Sequence, residues 1–205
     1  MLIHRWDEPV DDDEWRAFIA AYEFGHLVAA GCDRDVAVVV PTQFVFLGDE
    51  VVLHLAKPNP VWSAIEENPS VLLSVAGDWA YIPSHWKAVG DEDRRRGIPT
   101  TYYAAVQLVG DATVIDDPDA VADVLRIQLG RYQPDVDVVD PLEHGPKLSA
   151  IRGIRIAVRE VHTKMKFGGN VDAEHRAAIA EHLRTRGAPS DAAAEAHVER
   201  RSEDR

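Results

Sequence analysis

Cysteine is almost absent from this chain, which contains 1 cysteine in 205 residues. A single thiol excludes an internal disulfide, and it excludes a zinc site built from several cysteines. Cys32 follows Gly31 and precedes Asp33, a context typical of a loop. We therefore interpret Cys32 as an incidental thiol rather than as a catalytic nucleophile.

Long apolar runs are also missing, since the sequence has no stretch of about 18 apolar residues. We therefore expect no transmembrane helix. The first fifteen residues, MLIHRWDEPVDDDEW, lack the basic start and the apolar middle of a signal peptide. Together these two absences lead us to expect a cytoplasmic protein.

Positive charge is scarce: 22 Lys and Arg residues stand against 35 Asp and Glu residues, a net charge of −13. Proteins bind nucleic acid mainly through Lys and Arg side chains that displace counterions. Apart from Arg94, Arg95 and Arg96, the chain has no basic stripe, so tight DNA binding is disfavoured. His162 and His175 lack metal-ligand spacing with a third group, and we assign no metal. No Gly-x-Ser-x-Gly or paired-carboxylate arrangement indicates a hydrolase.

The chain does contain a succession of β-rich segments bounded by glycine and aspartate. Their spacing predicts a mainly β protein of about six or seven strands with peripheral helices. Because neither βαβ alternation nor a glycine-rich nucleotide loop is present, an antiparallel barrel fits best. Strands are predicted within residues 26–31, 35–50, 51–56, 70–77, 102–116 and 151–167, and helices over residues 11–22, 63–68, 117–132 and 174–186.

We expect a single domain over residues 1–187, with an N-terminal helix and a closing C-terminal helix. Residues 188–205 consist mostly of Ala, Glu and Arg and have little to bury. They are predicted to form a flexible tail, or a helix only against a partner.

A segment between two of the predicted strands, residues 78–103, is rich in aromatic, charged and turn residues. Long irregular segments within compact domains are commonly functional or mobile. Two alternatives remain open for this segment: a lid over a substrate pocket, or a loop at an interface. The side chains concerned are Tyr81, Ser84 and Trp86.

The most informative segment is Val51–Trp62, VVLHLAKPNPVW, in which an apolar strand passes through a Pro-Asn-Pro turn into a helix-like run. A cation, an imidazole, a side-chain amide and an indole are crowded at this corner, which suits a phosphate and a flat ring. A small anionic cofactor is therefore the first hypothesis. The alternatives are a solvated lysine, a turn-forming asparagine, a packed tryptophan and a buried histidine. The residues concerned are His54, Ala56, Lys57, Asn59 and Trp62.

Four motifs, HLAKPNPVW, GDWAYIPSHW, IPTTYYAAVQLVG and KMKFGGN, follow one another along the chain. In this order they resemble the PaiB-type proteins, FMN-binding split-barrel proteins known as negative transcriptional regulators. The resemblance runs from about Phe24 to about Leu183, and it extends more broadly to the pyridoxamine-phosphate-oxidase-like split barrels. It implies a six-stranded split barrel that forms a homodimer. It also implies FMN in a groove at the dimer interface, with the phosphate near the corner.

The resemblance adds further candidates for binding FMN. In the wider split-barrel class, the strand that follows Pro41 borders the flavin ring, and in this chain that strand carries Thr42, Gln43 and Phe44. Thr100, Thr101 and Tyr102 offer hydroxyl groups for a phosphate or for the ring. Lys164 and Lys166 share one strand face near Asn170 and form either a second anion site or a solvated face.

Three segments depart from the family pattern. Ala37–Pro41 reads AVVVP where the family usually has Ala-Thr-His-x-Pro, so Val39 replaces the histidine. Pro99–Tyr103 reads PTTYY in place of Pro-Thr-Trp-Asn-Tyr, and Lys166–Asn170 reads KFGGN in place of Lys-Leu-Ser-Gln-Asn. Three functions are therefore weighed: a flavin-dependent oxidoreductase or flavin-binding protein, a PaiB-type regulator, and a degenerate split barrel that no longer binds FMN.

Overall fold

The computed structural model describes residues 1–88 and 93–203, and the contacts within the chain divide it into two compact units. The first unit comprises residues 1–18, 76–106 and 162–205, and the second comprises residues 19–75 and 107–161. Three long strands contribute residues to both units. The single domain expected over residues 1–187 stays a prediction.

The strands and helices predicted from the sequence are found, with shifts of a few residues at most of their ends. The seven strands are β1 (Phe24–Ala29), β2 (Val38–Gln43), β3 (Val45–Phe46), β4 (Glu50–Ala56), β5 (Ser70–Ile82), β6 (Thr100–Ile115) and β7 (Ile151–Lys166). The helices are α1 (Asp12–Ala21), α2 (Val61–Glu67), α3 (Ser84–Lys87), α4 (Pro118–Tyr132), α5 (Ala173–Arg186) and α6 (Asp191–Glu203). None of these described helices is both long and apolar enough to cross a membrane.

All seven strands contribute to the second unit, where they form one sheet in the order β2-β1-β5-β6-β7-β4-β3. The pairs β1–β2, β1–β5, β3–β4 and β4–β7 are antiparallel. In β5, buried and less buried residues alternate, as a strand with one face in the core requires. The predicted class, mainly β with peripheral helices, is confirmed, with seven strands rather than about six. Within the described residues β2 and β3 form the two ends of the sheet order.

Helix α4 lies in the second unit and shows why a local pattern was sufficient to predict it. Asp117 precedes the helix, and its Oδ1 accepts a hydrogen bond from the backbone N–H of Ala120 at 3.0 Å. Pro118 occupies the first turn, where its missing N–H costs nothing. The helix buries Val121, Ala122 and Val124. The cap and the apolar face are both readable from neighbouring residues.

In the first unit, helices α5 and α6 pack closely against each other. Helix α5 ends at Gly187, whose φ of 59° is readily adopted by glycine and whose N–H bonds the carbonyl of Leu183. The residues after 187, expected to be flexible or helical only against a partner, contain α6, in which Ala194 and Val198 are completely buried. The tail therefore has more to bury than its composition suggests.

The segment predicted to be irregular, residues 78–103, is largely regular. Strand β5 continues to Ile82 because its alternation persists, with Ala80 and Ile82 buried and Trp79 and Tyr81 exposed. Helix α3 follows and contains two of the three candidate lid side chains. The prediction of a loop is thus wrong for Tyr81, which lies on a strand. Residues 89–92 of the segment lie outside the described residues.

Candidate functional site

The candidate cofactor-binding residues fall into both units. Those of the second unit are Thr42, Gln43, Phe44, His54, Ala56, Lys57, Asn59 and Trp62. Those of the first unit are Thr100, Thr101, Tyr102, Lys164, Lys166 and Asn170.

In the second unit, the strand-to-helix corner is held together by its own polar groups. The carbonyl oxygen of Ala56 accepts hydrogen bonds from the backbone N–H of Asn59 at 3.1 Å and from the indole Nε1 of Trp62 at 3.0 Å. The side-chain Oδ1 of Asn59 accepts from the N–H of Val61 at 3.0 Å. Trp62 is buried and packed under the helix. Asn59 and Trp62 therefore build the turn, as their non-functional interpretations predicted.

Lys57 is the cation at this corner whose charge remains available. Its side chain is exposed, its backbone N–H bonds the carbonyl of Ala150 at 2.9 Å, and no carboxylate among the described residues forms an ion pair with it. The neighbouring cation Arg152 is occupied, since it binds both carboxylate oxygens of Asp116, at 2.7 and 2.6 Å, and lies 4.9 Å from the Trp62 ring centroid. These bonds lower the pKa of Asp116, and the charge of Lys57 adds to the effect.

Strand β2 and the residue after it contribute one exposed candidate and two buried ones. Gln43 is exposed, whereas Thr42 is buried and its hydroxyl donates to the carbonyl of Gln43 at 3.0 Å. Phe44 is completely buried, and its carbonyl accepts a hydrogen bond from the hydroxyl of Tyr132. The side chains of Thr42 and Phe44 thus belong to the core, which leaves Gln43 as the accessible side chain.

His54 is half-buried, and its orientation is set by a neighbour on α4. Its Nδ1 lies 2.5 Å from the amide oxygen Oε1 of Gln128, which is itself buried. Because an amide oxygen only accepts, Nδ1 is the donor in this contact. His54 is therefore neither a fully buried histidine nor part of the turn that Lys57 occupies.

In the first unit, Lys164 is buried and already neutralised. Its Nζ donates to the carbonyl of Leu2 at 2.8 Å and lies 3.3 Å from Oδ2 of Asp7. The side chains of Lys164 and Asp7 are only 9% and 4% exposed. A buried ion pair of this kind leaves no charge for a ligand. The predicted role of Lys164 in an anion site is therefore not supported, and its partner Leu2, 162 positions away, gave no signal in the sequence.

Lys166 differs from Lys164 although both lie on the same strand. Its Nζ donates to the hydroxyl of Thr100 at 2.8 Å, and within the described parts of the chain no carboxylate pairs with it. Burial and the charge of Lys166 lower the pKa of Lys87 on α3, so a second ammonium group lies within electrostatic range. The sequence reasoning missed Lys87. Two further candidates, Thr101 and Asn170, are exposed in this unit.

Tyr102 is enclosed rather than available to a ligand. Its side chain is 2% exposed, burial raises its pKa to about 12, and its hydroxyl has no hydrogen-bond partner among the described residues. A Cβ atom at Gly168 would lie 2.5 Å from this hydroxyl, and one at Gly169 would lie 2.1 Å from the carbonyl oxygen of Trp6. The departures from the family pattern at Gly168 and Gly169 are therefore requirements of packing.

The first unit also contains a buried charge cluster that the sequence did not reveal. His197 on α6 lies between two carboxylates, with Nδ1 3.0 Å from Oε1 of Glu14 and Nε2 2.9 Å from Oδ2 of Asp78. Burial opposes the charge of His197, but the two carboxylates outweigh it and raise its pKa. Burial likewise opposes ionisation of Glu14, yet His197 and Arg201 bring its pKa down to about 2. The cluster fixes α6, and none of its four side chains is exposed.

No arrangement of three or more His, Cys, Asp or Glu side chains suited to a metal ion occurs among the described residues. The candidate side chains in the two units carry ammonium, amide, hydroxyl and imidazole groups. Such groups bind anions and orient rings, and these are the tasks that a phosphorylated cofactor sets.

Residues 1–160 match the model of a protein family described as "Putative FMN-binding domain". The match ends within β7, so α5 and α6 lie outside it. No curated protein matches the sequence.

Two solved structures share the fold of the chain. The flavocytochrome Anf3 from Azotobacter vinelandii is 21% identical with a TM-score of 0.63, and the match covers 85% of this chain and 78% of that one. The FAD and heme binding protein from Mycobacterium smegmatis is 18% identical with a TM-score of 0.61, covering 84% and 80%. At these identities the similarity concerns the fold. It agrees with the predicted class, the FMN-binding split barrel.

Proposed function

Since the chain belongs to the family described as "Putative FMN-binding domain", we propose that it binds FMN and acts as a flavoprotein. When bound, FMN supplies the redox chemistry, and the protein supplies binding, orientation and electrostatics. The similar structures whose names include a flavocytochrome and an FAD-binding protein support a flavin ligand. An oxidoreductase-like role is the finer part of this proposal, and a PaiB-type regulator is the alternative.

The single observation that carries the proposal at residue level is the state of Lys57. It is an exposed ammonium group at a rigid corner, without an ion pair to a described carboxylate. Asn59 lies in the same turn, and its Oδ1 already accepts a hydrogen bond from the N–H of Val61. The NH2 group of the same amide remains a donor. One cation and one amide donor fit the oxygens of a phosphate monoester.

The first unit offers a second set of donors that fits the same ligand chemistry. Lys166, Thr100 and Lys87 place two cations and a hydroxyl near one another without a paired carboxylate in the described chain. Burial and then the charge of Lys166 lower the pKa of Lys87, and a bound anion would relieve the repulsion between the two ammonium groups. We propose these residues as further contacts for an anionic group of the cofactor or of its substrate.

A homodimer is part of the proposal. Trp79 and Tyr81 are 58% and 50% exposed on β5, and adjacent exposed aromatic side chains are typical of protein interfaces. Light scattering coupled to gel filtration measures the assembly directly. A mass of twice 22.7 kDa is expected, and a monomer of 22.7 kDa would remove the dimer from the proposal.

The experiment that tests the function is reconstitution. Purified protein is mixed with excess FMN, free flavin is removed by gel filtration, and the visible absorption spectrum of the protein peak is recorded. We expect flavin absorbance to elute with the protein near one equivalent per chain. Protein that elutes without flavin absorbance would instead favour the degenerate split barrel.

Regulation of transcription is not favoured by any observation on the described residues. The net charge of −13 opposes binding to a polyanion. A gel shift on the promoter of its own gene, repeated at several salt concentrations, measures this alternative separately from flavin binding.

A further inference from the structure

Lys87, on helix α3 of the first unit, is a partly buried lysine whose backbone is fixed from two sides. On one side, the carbonyl oxygen of Trp86 lies 3.0 Å from Nε2 of His175 on α5. On the other side, a Cβ atom at Gly97 would overlap the carbonyl oxygen of Ser84, so the chain before β6 packs directly against α3. The segment that carries Lys87 is therefore held in one place.

A second lysine lies beside this segment. Thr100, three residues after Gly97, accepts a hydrogen bond from Nζ of Lys166 at 2.8 Å. The same Nζ lies 5.9 Å from the ring centroid of Tyr103. The charge of Lys166 acts on Lys87, and neither ammonium group pairs with a carboxylate of the described residues. Two cations and a hydroxyl group thus adjoin one another.

The other titratable groups around α3 do not neutralise the two lysines. Burial, and then the charge of Lys87, lower the pKa of His175, so that its imidazole is uncharged at pH 7. Asp172 is the carboxylate near His175, and it accepts a hydrogen bond from the backbone N–H of that residue at 2.8 Å. In the short 3-10 helix packed against α3, Asp93 is bound by Arg95. The other cations of that helix, both exposed, are Arg94 and Arg96.

These surroundings favour the uncharged amine of Lys87. Burial, and then the charge of Lys166, lower the pKa of Lys87 below its usual value of 10.5. At a given pH, a larger fraction of this amine than of an exposed lysine is therefore unprotonated. A lysine amine that is desolvated and lies next to another cation is a nucleophile towards carbonyl compounds. Lys166 remains charged and can bind a carboxylate beside it.

We propose that Lys87 forms an imine with a small oxo acid whose carboxylate binds to Lys166 and Thr100. The amine nitrogen attacks the carbonyl carbon and forms the C–N bond. The carbonyl oxygen leaves as water with the two protons of the amine, so no oxidant or reductant is needed. The site is the second donor set of the proposed function, on which this inference rests, but imine formation itself needs no FMN.

Reductive trapping detects the imine on the wild-type protein without added flavin. Glyoxylate, the smallest oxo acid, is added together with cyanoborohydride, and the label on each lysine is quantified by peptide mass spectrometry. We expect Lys87 to be labelled several-fold faster than Lys147, an exposed lysine of the second unit. Labelling of Lys87 no faster than that of Lys147 would overturn the proposal.

A neutral aldehyde separates recognition of the carboxylate from the reactivity of the amine. Acetaldehyde has the same number of carbon atoms as glyoxylate but no carboxylate. Because Lys166 attracts only the acid, the ratio of glyoxylate labelling to acetaldehyde labelling should be several-fold higher at Lys87 than at Lys147. Equal ratios at the two lysines would show that no carboxylate is recognised, and the proposal would fail.

Two variants assign the carboxylate contact to Lys166. Lys166→Gln removes the charge and should lower the ratio at Lys87 to that at Lys147. Lys166→Arg keeps a positive charge and should retain most of the preference for glyoxylate. If the ratio is unchanged in Lys166→Gln, or falls equally in both variants, the charge of Lys166 does not hold the acid and the proposal is refuted.

FMN binding to the same wild-type protein is measured separately by flavin fluorescence. If Lys87 is trapped with a preference for glyoxylate and FMN does not bind, the imine site stands and the proposed flavin function fails. If FMN binds and Lys87 shows no preference, the flavin function stands and the imine site fails.

Discussion

Lys57 in the second unit and Lys164 in the first are similar residues on paper, each proposed to meet an anion. In the structure, Lys57 is exposed at a turn fixed by Asn59, and no described carboxylate pairs with it. Lys164 is 9% exposed and is held by Asp7 and by the carbonyl of Leu2. Two lysines of the same predicted function thus differ in availability, because Lys57 is exposed and Lys164 is held within the fold.

The difference lies in where the partners of each side chain come from. The side-chain hydrogen bonds that shape the turn at Lys57 join residues within six positions of each other, so the sequence displays most of the arrangement, and only the bond from the N–H of Lys57 to the carbonyl of Ala150 reaches a distant segment. The carbonyl partner of Lys164 lies 162 positions away. A charge can be assigned to a ligand only after its distant partners are known.

The largest effect is expected where buried charge is most completely paired, at His197. His197→Ala leaves Glu14 and Asp78 buried without the imidazole, which should lower the free energy of unfolding by about 3–5 kcal/mol. Urea denaturation measures this loss. His26→Ala removes an exposed imidazole from β1 and serves as the control. A loss below about 1 kcal/mol in His197→Ala would show that the cluster does not hold α6.

The same cluster predicts how stability depends on pH. The pKa of Glu14 falls from 4.5 to about 2, so its contribution is present above pH 4.5 and is lost as the pH falls towards 2, about 3 kcal/mol in all. The pKa of His197 is raised above 6.5, so its contribution is full below 6.5 and is lost as the pH rises through the higher folded value. We therefore expect the difference in urea midpoint between the wild-type protein and His197→Ala, measured between pH 2 and 9, to be largest between about pH 4.5 and pH 6.5. A difference that does not change with pH would contradict the assignment.

Lys164→Met sharpens the comparison from the structural side. It leaves Asp7 buried and unpaired, and we expect a loss of about 3 kcal/mol in the free energy of unfolding. Adding Asp7→Asn removes the stranded charge and should restore part of the loss. If the double variant is as unstable as the single one, the ion pair is not the cause, and Lys164 supports the fold through packing alone.

Lys57→Gln tests the other half of the comparison between Lys57 and Lys164, the predicted binding of FMN. The side chain is exposed, so the free energy of unfolding should change by less than about 0.5 kcal/mol. Loss of a charge-assisted hydrogen bond should weaken FMN binding by about 10- to 100-fold in a fluorescence titration. Lys147→Gln, an exposed lysine outside the corner, is the matched control and should bind FMN normally. If Lys57→Gln and Lys147→Gln bind FMN with equal affinity, Lys57 does not differ from other exposed lysines in FMN binding.

The smallest effect is expected for Asn59→Ala. It removes the hydrogen bond from the N–H of Val61 to Oδ1, which should lower the free energy of unfolding by about 1 kcal/mol. If Asn59 also donates to the phosphate, FMN affinity falls by several-fold more than this loss of stability explains. Stability measured by urea denaturation and affinity measured on folded protein separate the two roles.

The sequence predicted those parts of the fold whose causes are local. The alternation of β5, the cap at Asp117 and the turn at Asn59 were all evident within a few residues. Helix α6 was predicted only as an alternative to a flexible tail, because its main polar anchor, His197, meets Glu14 and Asp78, which lie 183 and 119 positions away. Composition alone gave no sign that this helix had something to pack against.

For the candidate site, the types of residue were easier to predict than whether each side chain is exposed to a ligand. Lys57 and Gln43 are exposed as the flavin hypothesis requires, whereas Thr42, Phe44 and Tyr102 are buried. The departures at Gly168 and Gly169 suggested a degenerate site, but the structure shows that neighbouring groups fill the space a side chain would need. Steric reasons of this kind depend on tertiary contacts and are invisible in a single sequence.

The most direct measurement compares FMN with riboflavin, which lacks the phosphate, by the quenching of flavin fluorescence during titration with the wild-type protein. If the chain holds the flavin through its phosphate, FMN should bind at least about tenfold more tightly than riboflavin. Quenching of neither flavin, or equal affinity for both, would contradict the account.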